Sequence, residues 1–159
     1  MIKPSDSSVQ QKAEVLMTAQ AEEKIGYVLE RNRRLTVGDG VIVEPDLYSE
    51  EKHVVCEIFA HLGKLRVGQV HKLSQDILKM LLIDECLGIK HEKYLVVAGE
   101  EADAYLRGRS FIAESIRRFG IQVLKANLPG EVIKEIEAAQ QRQIMVNAEK
   151  ESPERTSIF

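Results

Sequence analysis

Apolar residues recur at intervals of three and four positions along residues 9–33, the spacing that places side chains on one side of an α-helix. The stretch contains no proline and one glycine, Gly26, and it predicts one long amphipathic helix. The pattern then changes. Short apolar runs at 35–37, 41–48 and 54–60 are separated by polar turns, which predicts three strands in a meander.

Helical spacing returns after Gly68 and continues to Leu87, where Gly88 ends the second predicted helix. A continuous apolar run at 94–98 follows, as expected of a strand that is buried on both faces. The remaining predicted elements are a helical region at 101–119 that is interrupted at Gly108 and restarts with Ser110 as N-cap, a strand at 121–126 and a last helix that ends near Val146.

This order of elements combines an antiparallel meander with strands that are joined by helical crossovers. It predicts an α/β protein in three layers, with one mixed sheet of about five strands flanked by helices. At 159 residues the chain has room for one domain. We expect residues 9–146 to form that domain, with a disordered start at 1–8 and a disordered polar tail at 147–159.

Composition and charge narrow the classes of function. The chain is 44% hydrophobic and 30% charged, as folded globular proteins are, and its net charge of -3 excludes a uniformly basic coat. Cys56 and Cys86 lie far apart and outside any Cys/His cluster, so we expect reduced cysteines and no zinc site. No apolar run of membrane-spanning length and no signal-peptide pattern occur, and we expect a cytoplasmic protein without a membrane partner. The sequence patterns of dinucleotide-binding, P-loop and nucleophile-elbow proteins are also absent.

Two acidic residues stand where a sheet would place apolar ones. Asp46 lies near the end of the second predicted strand, and Glu57 lies inside the third. Burying a carboxylate is costly unless it is paired or binds a metal ion. A four-residue turn at 49–52 would place Tyr48 opposite His53, and in that register the two acids share one face as diagonal neighbours. Their Cβ atoms would then lie roughly 6 to 8 Å apart, which one divalent cation can bridge. The alternative is that both acids are solvated on an edge strand.

Pro45-Asp46 on one strand and Glu57-Ile58-Phe59 on the next, after a leading helix and before alternating helices and strands, resemble the PD-(D/E)xK superfamily of restriction-endonuclease-like nucleases. The resemblance implies that fold and a catalytic centre in which Asp46 and Glu57 bind Mg²⁺ or Mn²⁺. It also implies that the main-chain carbonyl of Ile58 can join them as a metal ligand. Phe59 stands where the superfamily has a lysine that activates water or steadies the phosphate.

Some members of the superfamily supply this lysine from the following helix, and here that helix carries Gln69 and Lys72 three positions apart on one side. We expect both side chains to reach the same phosphate, with Lys72 as the catalytic substitute. His61 shares the strand face of Glu57 by period two and is a second candidate. Glu22, on the first helix, is the candidate for the acidic residue that many members carry there.

Several of these residues also have a simpler interpretation. Lys72 is spaced to pair with Asp76 at i,i+4, and His61 fits a structural or solvent-facing histidine. Arg107 and Arg109 are candidates for binding the DNA backbone, although charges on an amphipathic helix usually form a solvated face.

The resemblance, which covers about residues 10–130, leads to the expectation of a nuclease that hydrolyses DNA with a metal-activated water. Loss of the motif lysine leaves an alternative, a catalytically inactive nuclease-like domain that binds nucleic acid or protein. A third interpretation is an interaction subunit whose first helix packs on a partner. The sequence leaves homo-oligomerisation open.

Overall fold

The computed structural model describes residues 6–151, which form five helices and seven strands. The helices are α1 (Asp6–Ile25), α2 (Val67–Leu87), α3 (Glu100–Leu106), α4 (Phe111–Arg118) and α5 (Gly130–Glu151). The strands are β1 (Glu30–Arg31), β2 (Leu35–Thr36), β3 (Ile42–Val43), β4 (Leu47–Ser49), β5 (Val54–Phe59), β6 (Glu92–Val97) and β7 (Ile121–Lys125). None of the helices in this part of the chain is both long and apolar enough to cross a membrane.

Five strands form one mixed sheet in the order β1-β4-β5-β6-β7. β4 runs antiparallel to β1 and β5, whereas β5, β6 and β7 are parallel and are joined by helical crossovers. α2, α3 and α4 cover one face of the sheet, and α1 and α5 cover the other. The predicted three-layer α/β fold with a mixed sheet of five strands is confirmed.

β5 and β6 form the centre of the fold because both of their faces are packed. Every residue of β5 is buried, as is every residue of β6 after its first. Val55 and Phe59 point toward α2, and Cys56 and Ile58 point toward α1. Because side chains alternate along a strand, Glu57 faces α2.

The first helix is shorter than predicted, and the meander is divided. α1 ends at Ile25, where Gly26 adopts a φ of 102°, a conformation that glycine tolerates best, and the chain then forms β1 instead of more helix. β2 pairs with β3 in a hairpin outside the main sheet. Pro45 lacks a backbone N–H, and it separates this hairpin from β4.

The register between β4 and β5 differs from the prediction by two positions, because Ser49 rather than Tyr48 flanks the turn, opposite Val54. A shift of two positions keeps every side chain on its original face. When the pairing is continued by one residue, Asp46 lies directly opposite Glu57 instead of diagonal to it.

Helix extends into both segments that the sequence predicts to be disordered. α1 begins at Asp6, whose Oδ1 accepts a hydrogen bond of 2.6 Å from Nη2 of Arg142 on α5. α5 itself continues through residue 151. Residues 6–8 and 147–151 are thus helical, and the rest of both segments lies outside the described residues.

Candidate active site

Two carboxylates meet where β4 begins. Asp46 directly precedes Leu47, the first residue of β4, and the strand pairing places it opposite Glu57 on β5. Asp46 Oδ2 accepts a hydrogen bond of 2.7 Å from the backbone N–H of Ile58. The backbone pairing of β4 with β5 ends at Leu47 and Cys56. The Asp46 side chain takes the place of the next backbone acceptor, and this contact holds Asp46 beside Glu57.

Glu57 is a buried acid whose charge is only partly compensated. The residue is 1% exposed. Burial raises its pKa most, and a side-chain hydrogen bond with Asp46 and the charge of Asp46 raise the pKa further, to about 8. At neutral pH Glu57 is therefore mostly protonated.

Lys79 of α2 supplies the positive charge next to Glu57. Its Nζ atom lies 2.8 Å from Glu57 Oε1. Burial alone would lower the pKa of Lys79, but the contact with Glu57 and the nearby charges of Asp76 and Asp46 raise it. The contact is an ion pair by distance, yet no atom of residues 6–151 makes a hydrogen bond of normal geometry to Oε1. Glu57 thus keeps a buried oxygen that is ion-paired but not hydrogen-bonded.

A second acid and lysine pair lies next to the first. Asp76 is 4% exposed, and its Oδ2 atom lies 3.0 Å from Lys72 Nζ. Burial raises the pKa of Asp76, Lys72 opposes this effect, and the charge of Asp46 adds to it. We call the residues Asp46, Glu57, Asp76, Lys72 and Lys79 the carboxylate cluster. Three acids and two lysines share one region between the sheet and α2.

Lys72 stands above the residue that replaces the motif lysine. Its Nζ atom is 6.0 Å from the ring centre of Phe59, and 48% of its side chain is exposed. The simpler interpretation, a pair with Asp76, is also observed. An ammonium group therefore lies over the strand that carries Glu57, although it contacts Asp76 and not Glu57 itself.

Lys79 was not predicted from the sequence, and Asp76 was considered only as a partner of Lys72. A signal for both was present in the helix pattern. Positions 72, 76 and 79 follow helical spacing directly beside the apolar stripe of α2. These polar side chains lie beside the buried stripe of a helix that follows a strand with a buried acid. Such a position indicates that they turn toward that acid.

Gln69 and His61 both have local partners. Gln69 Oε1 accepts a hydrogen bond of 2.9 Å from the backbone N–H of Arg66 at the start of α2. A ring nitrogen of His61 lies 3.1 Å from the carbonyl of Lys64. These contacts hold the two side chains near the end of β5 and favour the structural interpretation of His61.

A cavity of about 620 Å³ lies at the carboxyl end of β5, between α1, α5 and the start of α2. Phe59, His61, Gln69 and Lys72 are among its lining residues, whereas the two facing acids are not. The cavity therefore adjoins the carboxylate cluster through Phe59 and Lys72.

Three predicted site residues lie away from the cluster. Glu22 belongs to α1, on the opposite face of the sheet, and it accepts a hydrogen bond of 2.8 Å from the backbone N–H of Leu29. Arg107 and Arg109 lie at the connection between α3 and α4, where Arg107 pairs with Asp103 at 3.0 Å and Arg109 is exposed. Arg107 also contacts β7, which is two strands, or roughly 10 Å, from β5. The structure does not bring these three residues together with the two facing acids.

The donor atoms around Asp46 and Glu57 suit a divalent cation in part. The two acids face each other, and the buried Oε1 of Glu57 has Lys79 Nζ 2.8 Å away. The carbonyl of Ile58 points toward Asp46, as its N–H does, because both groups of one strand residue point to the same side. No group of three or more His, Cys, Asp or Glu side chains that could hold a metal ion occurs within residues 6–151. Mg²⁺ commonly binds one or two carboxylates and keeps several waters, so two acids suffice for it.

Comparisons of this chain with models of known protein families, with curated proteins and with solved structures found no match. What the chain does must therefore be inferred from its own residues.

Proposed function

We propose that the chain is a metal-dependent nuclease that hydrolyses DNA phosphodiester bonds and has the restriction-endonuclease-like fold of the PD-(D/E)xK superfamily. The observation that carries this proposal is the facing pair of acids, the exposed Asp46 and the buried Glu57. A buried acid beside a second acid raises the free energy of the folded state. Buried acids with perturbed pKa values are typical of catalytic sites.

The arrangement of strands supports the same proposal. β5 bears Glu57 and is paired antiparallel to β4, which Asp46 directly precedes, and the parallel, crossover-connected strands extend from β5. The superfamily has this order, in which a leading helix and an acidic hairpin precede alternating helices and strands.

Asp46, Glu57 and the carbonyl of Ile58 would hold Mg²⁺ or Mn²⁺. Such an ion, when bound, lowers the pKa of a coordinated water and offsets the charge of the phosphate. Glu57 must give up its proton for this role, because a pKa of about 8 leaves it mostly protonated at neutral pH. Lys79 assists this release, since its contact with Glu57 lowers the pKa of that acid.

Lys72 and Gln69 would contact the phosphate. Both line the cavity beside Phe59. The half-exposed side chain of Lys72 would stabilise the charge that develops on the phosphate in the transition state. Asp76 positions Lys72 through the 3.0 Å contact between Oδ2 and Nζ.

DNA is the proposed partner, and Arg107 and Arg109 would contact its backbone outside the reaction centre, beside β7. Both cysteines of the described chain are free, which supports a cytoplasmic protein. Gel filtration at several concentrations decides between a monomer and a homo-oligomer.

Purified full-length protein incubated with plasmid and single-stranded DNA tests the proposed activity. We expect cleavage with Mg²⁺ or Mn²⁺, none with EDTA and none in the variant Asp46→Asn. Asp39→Asn is the matched control, because Asp39 is exposed in the loop between β2 and β3. Calorimetry should show Mn²⁺ binding that the Asp46→Asn variant lacks and the Asp39→Asn variant keeps.

The alternative is a catalytically inactive domain that binds nucleic acid or protein. Two observations favour it: Phe59 replaces the motif lysine, and the ammonium group of Lys79 already stands 2.8 Å from Glu57. If no substrate is cut and no Mn²⁺ binding depends on Asp46, this alternative replaces the nuclease proposal.

A further inference from the structure

We infer that the cavity beside the carboxylate cluster is a nucleobase subsite, which holds one unpaired base of the DNA strand that is cut. The inference rests on the proposed nuclease function and adds a substrate class to it: a strand with at least one unpaired nucleotide next to the cleaved bond. Three features of the cavity carry it, namely its walls, its amide groups and its position.

The walls of the cavity are part apolar and part polar, and their apolar side chains come from two packed helices and the end of β5. The cavity volume of about 620 Å³ lies in the range of small-molecule sites. Apolar side chains in a cavity wall suit the faces of a flat, uncharged ring. The apolar lining residues are Val9, Ala13, Ile58, Phe59, Ala60, Ile136, Ala139 and Val146.

Amide side chains provide the polar part of the lining. Gln143 and Asn147 of α5 line the cavity and are exposed, and each amide offers both donors and an acceptor. The edge of a nucleobase presents the same mixture of donors and acceptors. Gln140 differs, because its amide is used in two hydrogen bonds with the backbone of Leu62, at 2.9 and 2.8 Å. Gln140 therefore fixes the wall, while Gln143 and Asn147 are placed to contact a ligand.

Three charged side chains line the cavity: Lys72, Lys150 and Asp6. Lys72 lies at the end next to the cluster, and Lys150 belongs to the last turn of α5. The acidic lining residue, Asp6, is paired with Arg142 at 2.6 Å. A ligand with an uncharged ring and an anionic group at one side matches this distribution, and a nucleotide has that form.

The position of the cavity connects it to the proposed chemistry. Lys72 belongs both to the cavity lining and to the carboxylate cluster, so a base in the cavity would keep its phosphate close to Lys72 and the cluster. A base that is paired and stacked within a duplex cannot enter such a cavity without leaving the helix. Single strands, frayed ends and flipped nucleotides are thus the substrates that fit.

Binding of labelled oligonucleotides in EDTA, measured by fluorescence anisotropy, tests the inference without any need for cleavage. The probes are a short single strand of mixed sequence, the same strand with every base removed, and the corresponding duplex. Contacts with one base contribute a factor of about ten or more in affinity. We expect the single strand to bind about tenfold more tightly than either the abasic strand or the duplex.

Two variants of the cavity wall have matched controls on the same helix. Ala139→Leu narrows the cavity, and Ala138→Leu makes the same change at an exposed position of α5 outside the lining. Gln143→Leu removes an amide from the lining, and Gln141→Leu removes an exposed one outside it. Both lining variants should lose most of the preference for bases, and both controls should keep it. Gln143 is exposed, so its variant remains informative if Ala139→Leu does not fold.

The outcomes separate this inference from the nuclease proposal. Equal binding of the normal and abasic strands, or an unchanged preference in a folded Gln143→Leu variant, overturns the subsite even if DNA is cut. Base-dependent binding that both lining variants remove supports the subsite even if no metal ion produces cleavage. Asp46→Asn should keep base-dependent binding in EDTA, because Asp46 does not line the cavity.

Discussion

Two polar clusters with buried acids or lysines lie on the same face of the sheet, and both contain residues of α2, yet their charges are paired to very different extents. One is the carboxylate cluster. The other, which we call the Asp84 cluster, consists of Asp84 near the end of α2 together with His91, Lys93 and Tyr48. The two clusters differ in whether their acids are stabilised in the ionised form.

Every member of the Asp84 cluster has a hydrogen-bonded partner. Asp84 Oδ1 accepts from the backbone N–H of His91 at 3.0 Å and lies 2.8 Å from its Nδ1, while Oδ2 contacts Lys93 Nζ. The hydroxyl of Tyr48 lies 3.0 Å from His91 Nε2. Burial alone would raise the pKa of Asp84, but the hydrogen bonds from Lys93 and His91 outweigh it and lower that pKa.

The carboxylate cluster is the opposite case. It has more acids than lysines, and the pKa values of Glu57 and Asp76 are raised, with burial as the largest cause. An acid whose ionised form is stabilised contributes to folding at neutral pH, whereas an acid whose ionised form is destabilised does not. The Asp84 cluster is thus accounted for by its contribution to stability. The raised pKa values in the carboxylate cluster are not, and perturbed pKa values of this kind are typical of functional sites.

The largest predicted difference between the two clusters is in the effect of their variants on DNA cleavage. Glu57→Gln should reduce DNA cleavage to the background rate, because it removes a proposed metal ligand. Asp84→Asn should retain cleavage, since the Asp84 carboxylate contacts Lys93 and His91 and is not a proposed metal ligand. Plasmid nicking with Mn²⁺ measures both variants. Equal loss in the two would show that the clusters do not differ in function.

The contrast in stability should run the other way. Asp84→Ala leaves the buried ammonium of Lys93 without its acidic partner, and we expect the free energy of unfolding to fall by about 3–5 kcal/mol. Glu57→Gln should instead raise it at pH 7, by up to about 3 kcal/mol, because a glutamine resembles the protonated acid of the folded chain and, unlike a glutamate, takes up no proton on folding. Urea unfolding in EDTA measures both. A larger loss in Glu57→Gln than in Asp84→Ala would contradict the assignment of roles.

Within the carboxylate cluster, Lys72 should matter for rate. Losing one positioned donor typically slows a reaction about 10²- to 10³-fold, or about 2.7–4 kcal/mol, and we expect this effect for Lys72→Ala. Lys134→Ala is the control, because Lys134 is exposed on α5. An unchanged rate in Lys72→Ala would exclude Lys72 as the substitute for the motif lysine. Lys79, which contacts Glu57 directly, would then be the candidate for that role.

The local patterns of the chain predicted its regular elements well. Gly88, with a left-handed φ, ends α2 as expected, and Ser110 caps α4 by accepting from the N–H of Ala113. The apolar run of β6 is buried on both faces. These features depend on a few neighbouring residues, so a short stretch of sequence contains the whole signal.

The sequence did not predict features that depend on distant residues. The register beside Asp46 is fixed by its contact with Ile58, and the pair between Lys79 and Glu57 joins two elements. Glu22 was misplaced for the same reason, because helical spacing does not say which face of the sheet a helix covers. The face shared by Asp46 and Glu57 was predictable, since alternation along a strand survives a shift of two positions.

The smallest predicted effect, for a change of one pH unit, is in the pH dependence of the free energy of unfolding. It can be measured without DNA or metal. The pKa of Glu57 is about 8 in the folded chain and 4.5 without the fold. Between those values the folded state binds more protons than the unfolded state, so the free energy of unfolding should fall as pH rises, by up to about 1.4 kcal/mol per pH unit.

Asp84 adds no slope in that range, because its lowered pKa means that its contribution is lost only in acid, below its ordinary value of 3.8. Urea unfolding at pH 5, 6, 7 and 8 in EDTA should therefore show stability declining in the natural chain. The decline should be smaller in Glu57→Gln, and it should remain in Glu51→Gln, whose side chain is 87% exposed. If the natural chain and Glu57→Gln have the same slope, Glu57 is not the group that titrates between pH 5 and 8, and the contrast between the two clusters would then rest on hydrogen bonding alone.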